Sequence, residues 1–344
     1  ETGTEVLIVV GIVLVWAVIG GFSDAGTLSA AAIASRALTP RQAILTVGGF
    51  GFLGPLVGGT AVAATIGSFV DLSGLAPQDA LRTLTAGLVA AIVWNAVTWR
   101  AGLPVSSTHG LVGGLVGATI AASGADDVRW GVAALAEGRI EGVTKVVIAL
   151  VVSPILGLAL GAVIHALAAG ALRSAEVGWH RRLRRAQVPA VAALSFTHGL
   201  NEAQKSRGII ALALLAGGTT DSLDVPVWAV VLSAATIPAA ALLGGWRIVR
   251  TLGFGIYRLR PLHGASAQLA AASVVAATSA WGGPVSTSQV SSSAIMGVGA
   301  SERPKAVRWE TGKAMLLAWV VTIPCTIALA AALTLLLRAT GAIG

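Results

Sequence analysis

The chain has 344 residues, of which 55% are hydrophobic and 11% charged, with a net charge of +8; its mean hydropathy is +0.84. Soluble domains carry roughly 25% charged residues, so the composition excludes a soluble domain and predicts an all-α, polytopic membrane protein. Continuous apolar runs exclude a β-barrel, and 43 glycines beside 5% aromatic residues suit helices packed through small side chains.

In chain order, the start "ETGTEV" lacks a basic n-region, so no cleaved signal peptide is expected, and Glu1 points to a native start further upstream. Residues 6–36 form a long apolar stretch interrupted by "GFSDAGT", which predicts a broken helix. Stretches 42–69, 79–99 and 145–172 are long enough to cross a bilayer, and a shorter one near 104–123 follows Pro104. The second long interrupted stretch, 186–217, carries "THGLNEAQKSRG" and is also read as a broken helix. Stretches 225–246 and 309–338 follow, with a short one over 285–300 behind Pro284. Cys325 lies alone in an apolar run, with no disulfide partner and no Cys/His metal spacing around it.

Basic residues gather at 173–185, 247–260 and 303–308, with Arg36 and Arg41 flanking "ALTP", while the loops at 71–79 and 221–224 carry only acids. Such charge reports orientation in the membrane rather than nucleic-acid binding, and it places the basic loops in the cytoplasm of a cell-membrane protein. Segments 6–36 and 186–217 must then cross in opposite directions. The residues agree. "GFSDA" and "GLNEA" align at an offset of 202 − 24 = 178, "PVSST" and "PVSTS" at 284 − 104 = 180, and "VRW" recurs at 307 − 128 = 179. The expected organisation is a first repeat over 1–172, a basic cytoplasmic linker over 173–187 and a second, inverted repeat over 188–344, with about 10 to 12 membrane segments. Whether 79–123 and 264–300 are full crossings or re-entrant hairpins stays open, because both return the chain to the same side.

The polar groups in this apolar chain are the candidate site. Ser106, Ser107 and Thr108, and in the other half Ser286, Thr287 and Ser288, follow a Pro-Val pair that suits a helix start. Such a start offers free amides, hydroxyl donors and a positive dipole end to an anion. Helix capping and close packing explain one such cluster, but not its duplication. Asp24 and Glu202 lie inside apolar segments, where an unpaired carboxylate costs several kcal/mol, and so suit an ion or proton path. Lys205, three residues after Glu202, could neutralise it or meet an anionic substrate. Ser23, Asn201 and Gln204 add neutral oxygens. His109 has Gln289 as its repeat partner, so symmetry does not demand a titrating group there; His198 allows a structural or a proton-handling role. An intramembrane hydrolase would leave the duplication unexplained, and a passive anion channel fits paired inverted sites less well than alternating access does.

The motifs "GFSDA…SRALTPRQA", "LPVSSTHGLVGGLVGA", "FTHGLNEAQKSRGIIALAL", "GPVSTSQVSSSAIMGVGA" and "KAVRW" resemble the inorganic phosphate transporter (PiT) family, in order and over nearly the whole chain. The resemblance implies a secondary symporter of inorganic phosphate driven by H⁺ or Na⁺, not an enzyme, without a cofactor beyond the coupling ion, and dimeric. It implies phosphate held by the two Ser/Thr clusters with Gln204 and Lys205. Asp24, Ser23, Asn201, Glu202 and His109 would serve the coupling cation, and a Na⁺ would sit at Asp24, Asn201 and Glu202. Glu202 and Ser23 replace an Asp and an Asn of the family pattern, Thr27 stands near its later Asn, and Gln289 departs from its second His. Lost amides with retained carboxylates favour H⁺ over Na⁺. A sulfate permease of the same family is the alternative, disfavoured because a carboxylate can accept the proton that hydrogen phosphate carries and sulfate lacks.

Overall fold

The structure, a computed structural model, describes residues 2–101, 105–174 and 179–344. Pro104 and residues 175–178 of the basic segment lie outside that set. The first half forms α1 (Thr2–Ala34), α2 (Pro40–Val57), α3 (Ala61–Ser68), α4 (Pro77–Arg100), α5 (Ser107–Ala122), the short α6 (Val132–Ala136) and α7 (Gly142–Ala171). The second forms α8 (Trp179–Ala216), α9 (Val227–Leu243), α10 (Trp246–Gly255), α11 (Pro261–Ala280), α12 (Thr287–Glu302) and α13 (Trp309–Ala339). Apart from α6, every helix of one half has a counterpart in the other.

The packing obeys the same duplication. Helix α2 lies on α8 as α9 lies on α1, and α5 lies on α13 as α12 lies on α7. Two apolar cores flank a polar middle. Helix α1 gives Val6 to Ala17 to one core and Ala25 to Ala32 to the other, whereas α8 gives Val191 and Leu194 to the latter and Ile209 to Leu214 to the former. The two helices therefore run antiparallel through one polar layer, so the second half is the first inverted. Close backbone approach replaces large side chains at the helix contacts. At Gly113 of α5, for example, a Cβ would meet Thr326 Oγ1 and, at 2.7 Å, the Ile323 carbonyl of α13.

One expectation is corrected. Segments 6–36 and 186–217 are not broken: α1 and α8 are continuous helices. Their polar side chains need partners, not a gap in the backbone ladder, and find them locally or across the interior. Thr27 Oγ1 donates to the Ser23 carbonyl (3.4 Å) and Ser29 Oγ to that of Ala25 (2.7 Å). The breaks fall elsewhere, between α2 and α3, bent by 80°, and between α9 and α10, bent by 73°. Both fall at a Gly-Gly pair, Gly58–Gly59 and Gly244–Gly245. Gly244 has φ +63°, a left-handed conformation that glycine takes without a Cβ clash. Among the described residues, by length and apolarity four helices, or six units counting each bent pair as one, could cross a membrane. Helix α8 misses that test through its polar run, and α5 and α12 through their 16 residues each. At 1.5 Å per residue such helices span about 24 Å, short of the roughly 30 Å hydrocarbon core, which makes α4–α5 and α11–α12 helical hairpins with a short second arm.

Candidate functional site

The two Ser/Thr clusters meet in the interior. Ser106 and Ser286 are N-caps, accepting from the His109 amide (3.1 Å) and the Gln289 amide (3.4 Å). Across the pseudo-two-fold axis Thr108 Oγ1 donates to the Val285 carbonyl (3.2 Å) and Ser288 Oγ to the Val105 carbonyl (3.3 Å), a reciprocal pair at equivalent positions. Two helix N-termini, α5 and α12, therefore aim their first-turn amides and positive dipole ends at one buried spot. Ser286 and Ser288 hydroxyls bond each other (3.0 Å).

Helix α8 inserts the only lysine of this interior. Lys205 Nζ donates to Glu202 Oε2 (2.5 Å), Thr108 Oγ1 (2.6 Å) and the Val285 carbonyl (2.9 Å), and it is fully buried. Ser107 Oγ donates to the other oxygen of Glu202 (3.3 Å). The spacing of three along one helix brings Lys205 onto the face of Glu202, so the ion pair is local while its other two bonds reach both hairpins. Asp24 of α1 joins from the opposite side. It is buried, and its carboxylate, that of Glu202 and the His198 ring nitrogen lie within 4.8 Å of one another. His198 Nδ1 also hydrogen-bonds Thr287 Oγ1 (3.0 Å). Ionising both carboxylates beside one ammonium would leave a net charge of −1 in a buried polar layer. Such a charge needs a proton or a cation as partner.

Several residues go where the sequence reading did not place them. Asn201 does not join Asp24 and Glu202. Its amide donates to Ser279 Oγ (2.7 Å) and the Gly283 carbonyl (3.4 Å), and its oxygen accepts from the Val285 amide (3.4 Å), so it moulds the α11–α12 loop. Gln204 turns away from the clusters. Its oxygen accepts from the Val62 amide (2.8 Å) and satisfies the start of α3 after the first break. Arg207, equally buried, donates to the Pro55 carbonyl (2.6 Å) near the end of α2. Ser23, in the equivalent place to Asn201, lies on α1 one residue before Asp24 and is half-buried. His109 is buried and pairs with Gln289: its Nδ1 lies 3.2 Å from Gln289 Nε2. His198 joins the carboxylates although the sequence leaves its role open. Its signal was the spacing of four to Glu202, which stacks both on one helical face. The cluster therefore sets two helix N-termini and one ammonium beside a carboxylate pair.

Two stretches, residues 20–179 and 171–330, each match the phosphate transporter family. A probable low-affinity inorganic phosphate transporter of Bacillus subtilis (strain 168) is 36% identical over 316 residues, 91% of each chain. A protein of the same description from Mycobacterium tuberculosis (strain ATCC 25618 / H37Rv) is 40% identical over 323 residues, covering 92% of this chain and 74% of that one. A solved structure described as the sodium-dependent phosphate transporter aligns with a TM-score of 0.86 at 23% identity, over 97% of this chain and 99% of that one, and shares the fold.

Proposed function

The chain belongs to the phosphate transporter family, and from that premise we propose that it imports inorganic phosphate across the cell membrane by symport with a cation, through alternating access. The observation that carries this reading is Lys205, which sits between two opposed helix N-termini and bonds to both hairpins as well as to Glu202. Phosphate would take the donors of Ser106, Ser107, Thr108, Ser286, Thr287 and Ser288, drawing Lys205 from Glu202. Gln204 leaves the set, since its amide is spent on α3 and its own helix. The repeats would span 1–172 and 188–344, with the basic segment 173–187 and loops 247–260 and 303–308 in the cytoplasm, in a homodimer.

The coupling ion follows from charge. With both carboxylates ionised the cluster would lack one positive charge, and an arriving phosphate would deepen the deficit, so entry of the anion with cations is favoured. Asp24, Glu202 and His198 offer two carboxylates and one imidazole, groups that carry protons, while the amide of Asn201 is engaged by the α11–α12 loop. We therefore assign H⁺ as the coupling ion. Na⁺ is the second reading, favoured by the description of the structural neighbour. Uptake of labelled phosphate into proteoliposomes under an imposed pH or Na⁺ gradient tests both. Accumulation above equilibrium with ΔpH alone supports the H⁺ symporter, and accumulation with ΔNa⁺ alone transfers the role to Na⁺. Equilibration without accumulation makes the protein a passive anion channel, and accumulation of labelled sulfate in place of phosphate makes it a sulfate permease.

A further inference from the structure

We infer that the basic cavity bounded by the α1–α2 turn, the α10–α11 loop and the start of α13 is a binding site for a ligand carrying two or more linked phosphate groups. The cavity has a volume of about 1060 Å³, and Arg36, Arg184, Arg258, Arg260, Arg303 and Arg308 line it. They come from four separate stretches of the chain. The bias of cytoplasmic loops toward basic residues accounts for arginines on this face, but not for their convergence on one cavity. The nearest acid, Glu302, is already engaged by Tyr257 Oη (2.6 Å), His263 Nε2 (2.9 Å) and Arg260 (3.6 Å).

Comparison of the two repeats isolates what is special here. The Arg129 amide donates to the Phe69 carbonyl (2.9 Å), and the Arg308 amide to the Ile256 carbonyl (3.0 Å), so Phe69 and Ile256 are equivalent, at an offset of 256 − 69 = 187. The same offset sets Asp71 against Arg258 (71 + 187 = 258). In the first repeat the arginine finds its carboxylate, Arg129 Nη2 lying 3.1 Å from Asp71 Oδ2. In the second repeat both positions are arginine, and both line the cavity. Like charges held on one wall are unfavourable until an anion comes between them. Arg36 points the same way. It is the only non-glycine residue with positive φ (+56°) among those described, at a helix end where glycine is the usual occupant. An arginine there keeps a guanidinium on the cavity at a conformational cost. Arg260 is shared with Glu302, and the five other guanidiniums, each able to grip a phosphate in a bidentate fork, still exceed what one tetrahedral anion can contact. That favours a polyphosphate, a nucleoside polyphosphate or a lipid headgroup with paired phosphates.

The site stands apart from the transport reading, because its test measures binding of a probe too large for the buried Ser/Thr seat. Purified full-length chain in uncharged detergent is titrated calorimetrically with tripolyphosphate, and separately with orthophosphate. The expected result is saturable tripolyphosphate binding, at least about tenfold tighter than any orthophosphate binding at this face, and weakened about tenfold or more in R258Q/R308Q through loss of charge-assisted bonds. If that variant does not fold, R36Q/R303Q serves, both positions being exposed. The source is separated by repeating the titration in nanodiscs: loss of binding in cardiolipin but not phosphatidylcholine discs identifies the lipid headgroup, and retention in both identifies a soluble ligand. Absence of saturable binding, equal affinity for orthophosphate, or undiminished affinity in the variants overturns the proposal.

Discussion

Replacing Lys205 by methionine takes the one cation out of a buried cluster and leaves its shape nearly unchanged. Lys205 and Glu202 side chains are 0% and 3% exposed, so solvent cannot compensate the stranded carboxylate. Lys205 also supplies a hydrogen bond to Thr108 and one to the Val285 carbonyl. Breaking a buried ion pair from one side costs about 3–5 kcal/mol, whereas replacing both partners by neutral groups of like shape is often close to neutral. K205M is therefore expected to destabilise by about 3–5 kcal/mol, and K205M/E202Q by about 1–2 kcal/mol, the remainder being the two lost bonds at roughly 1 kcal/mol each. The double variant should then be more stable than K205M by about 2–3 kcal/mol. Thermal and denaturant unfolding of the parent and both variants in one detergent at pH 7 measures it. Both variants should also lose phosphate uptake. A K205M protein as stable as the parent, or a double variant worse than K205M, refutes the reasoning, since either result means that the pair is not the buried, mutually dependent unit described.

In Asp24→Asn, gradient-driven accumulation of phosphate in proteoliposomes should vanish; unchanged accumulation would remove that carboxylate from the mechanism. Thr108→Val should cost about 1–3 kcal/mol and Ser288→Ala about 1 kcal/mol, because Thr108 serves both Val285 and Lys205 while Ser288 serves Val105 and Ser286; equal effects in melting and in the half-saturating phosphate concentration would count against a charge-asymmetric site. Gly113→Ala should destabilise by about 1–3 kcal/mol, since its Cβ would press on the Ile323 carbonyl at 2.7 Å, and a melting temperature at or above the parent's would show that α5 and α13 are not in such close contact. The Asp71 carboxyl is held below the ordinary range by the Ser73 hydroxyl and amide and then by Arg129. Its contribution is therefore present above the unfolded value near 3.9 and lost as pH falls through the lower folded one. Because the carboxylate is 38% exposed, solvent screens it, and Asp71→Asn should cost less than about 1 kcal/mol at pH 7, a difference that disappears on acidification; a gap that persists at low pH would contradict the assignment.

The fold was legible wherever repetition spoke. The offsets of 178 to 180 recur as α1 with α8 and α5 with α12, and the two hydroxyl clusters do meet. The helix breaks are not legible in polarity, because a continuous helix buries polar side chains once they have partners. The actual marks were the paired glycines at 58–59 and 244–245, which an apolar reading passes over. Gln204 and Asn201 could not be resolved from sequence. Both look like ligands in "GLNEAQK", and only the tertiary arrangement shows the first capping α3 and the second shaping a loop. Residues 103 and 104 of the first cluster fall outside the described set.

What the repeat does not duplicate is as informative as what it does. His109 and Gln289 stand at equivalent positions, 289 − 109 = 180, and bond each other, so they lie on the pseudo-two-fold axis. Two neutral histidines facing one another there could pair only in unlike tautomers, whereas Gln289 carries both an amide donor and an acceptor and suits either tautomer of His109. The same logic governs charge. Lys205 has Thr27 as its counterpart, 205 − 178 = 27, whereas the carboxylate is kept in both halves as Asp24 and Glu202. A lysine at 27 would neutralise the cluster and place two ammonium groups beside the anion seat, fixing phosphate there without any need for a cation. One lysine against two carboxylates leaves room for a coupling ion in the proposed symport. On that proposal the symmetric scaffold would let either face open, and the asymmetric charge would keep the anion from travelling alone.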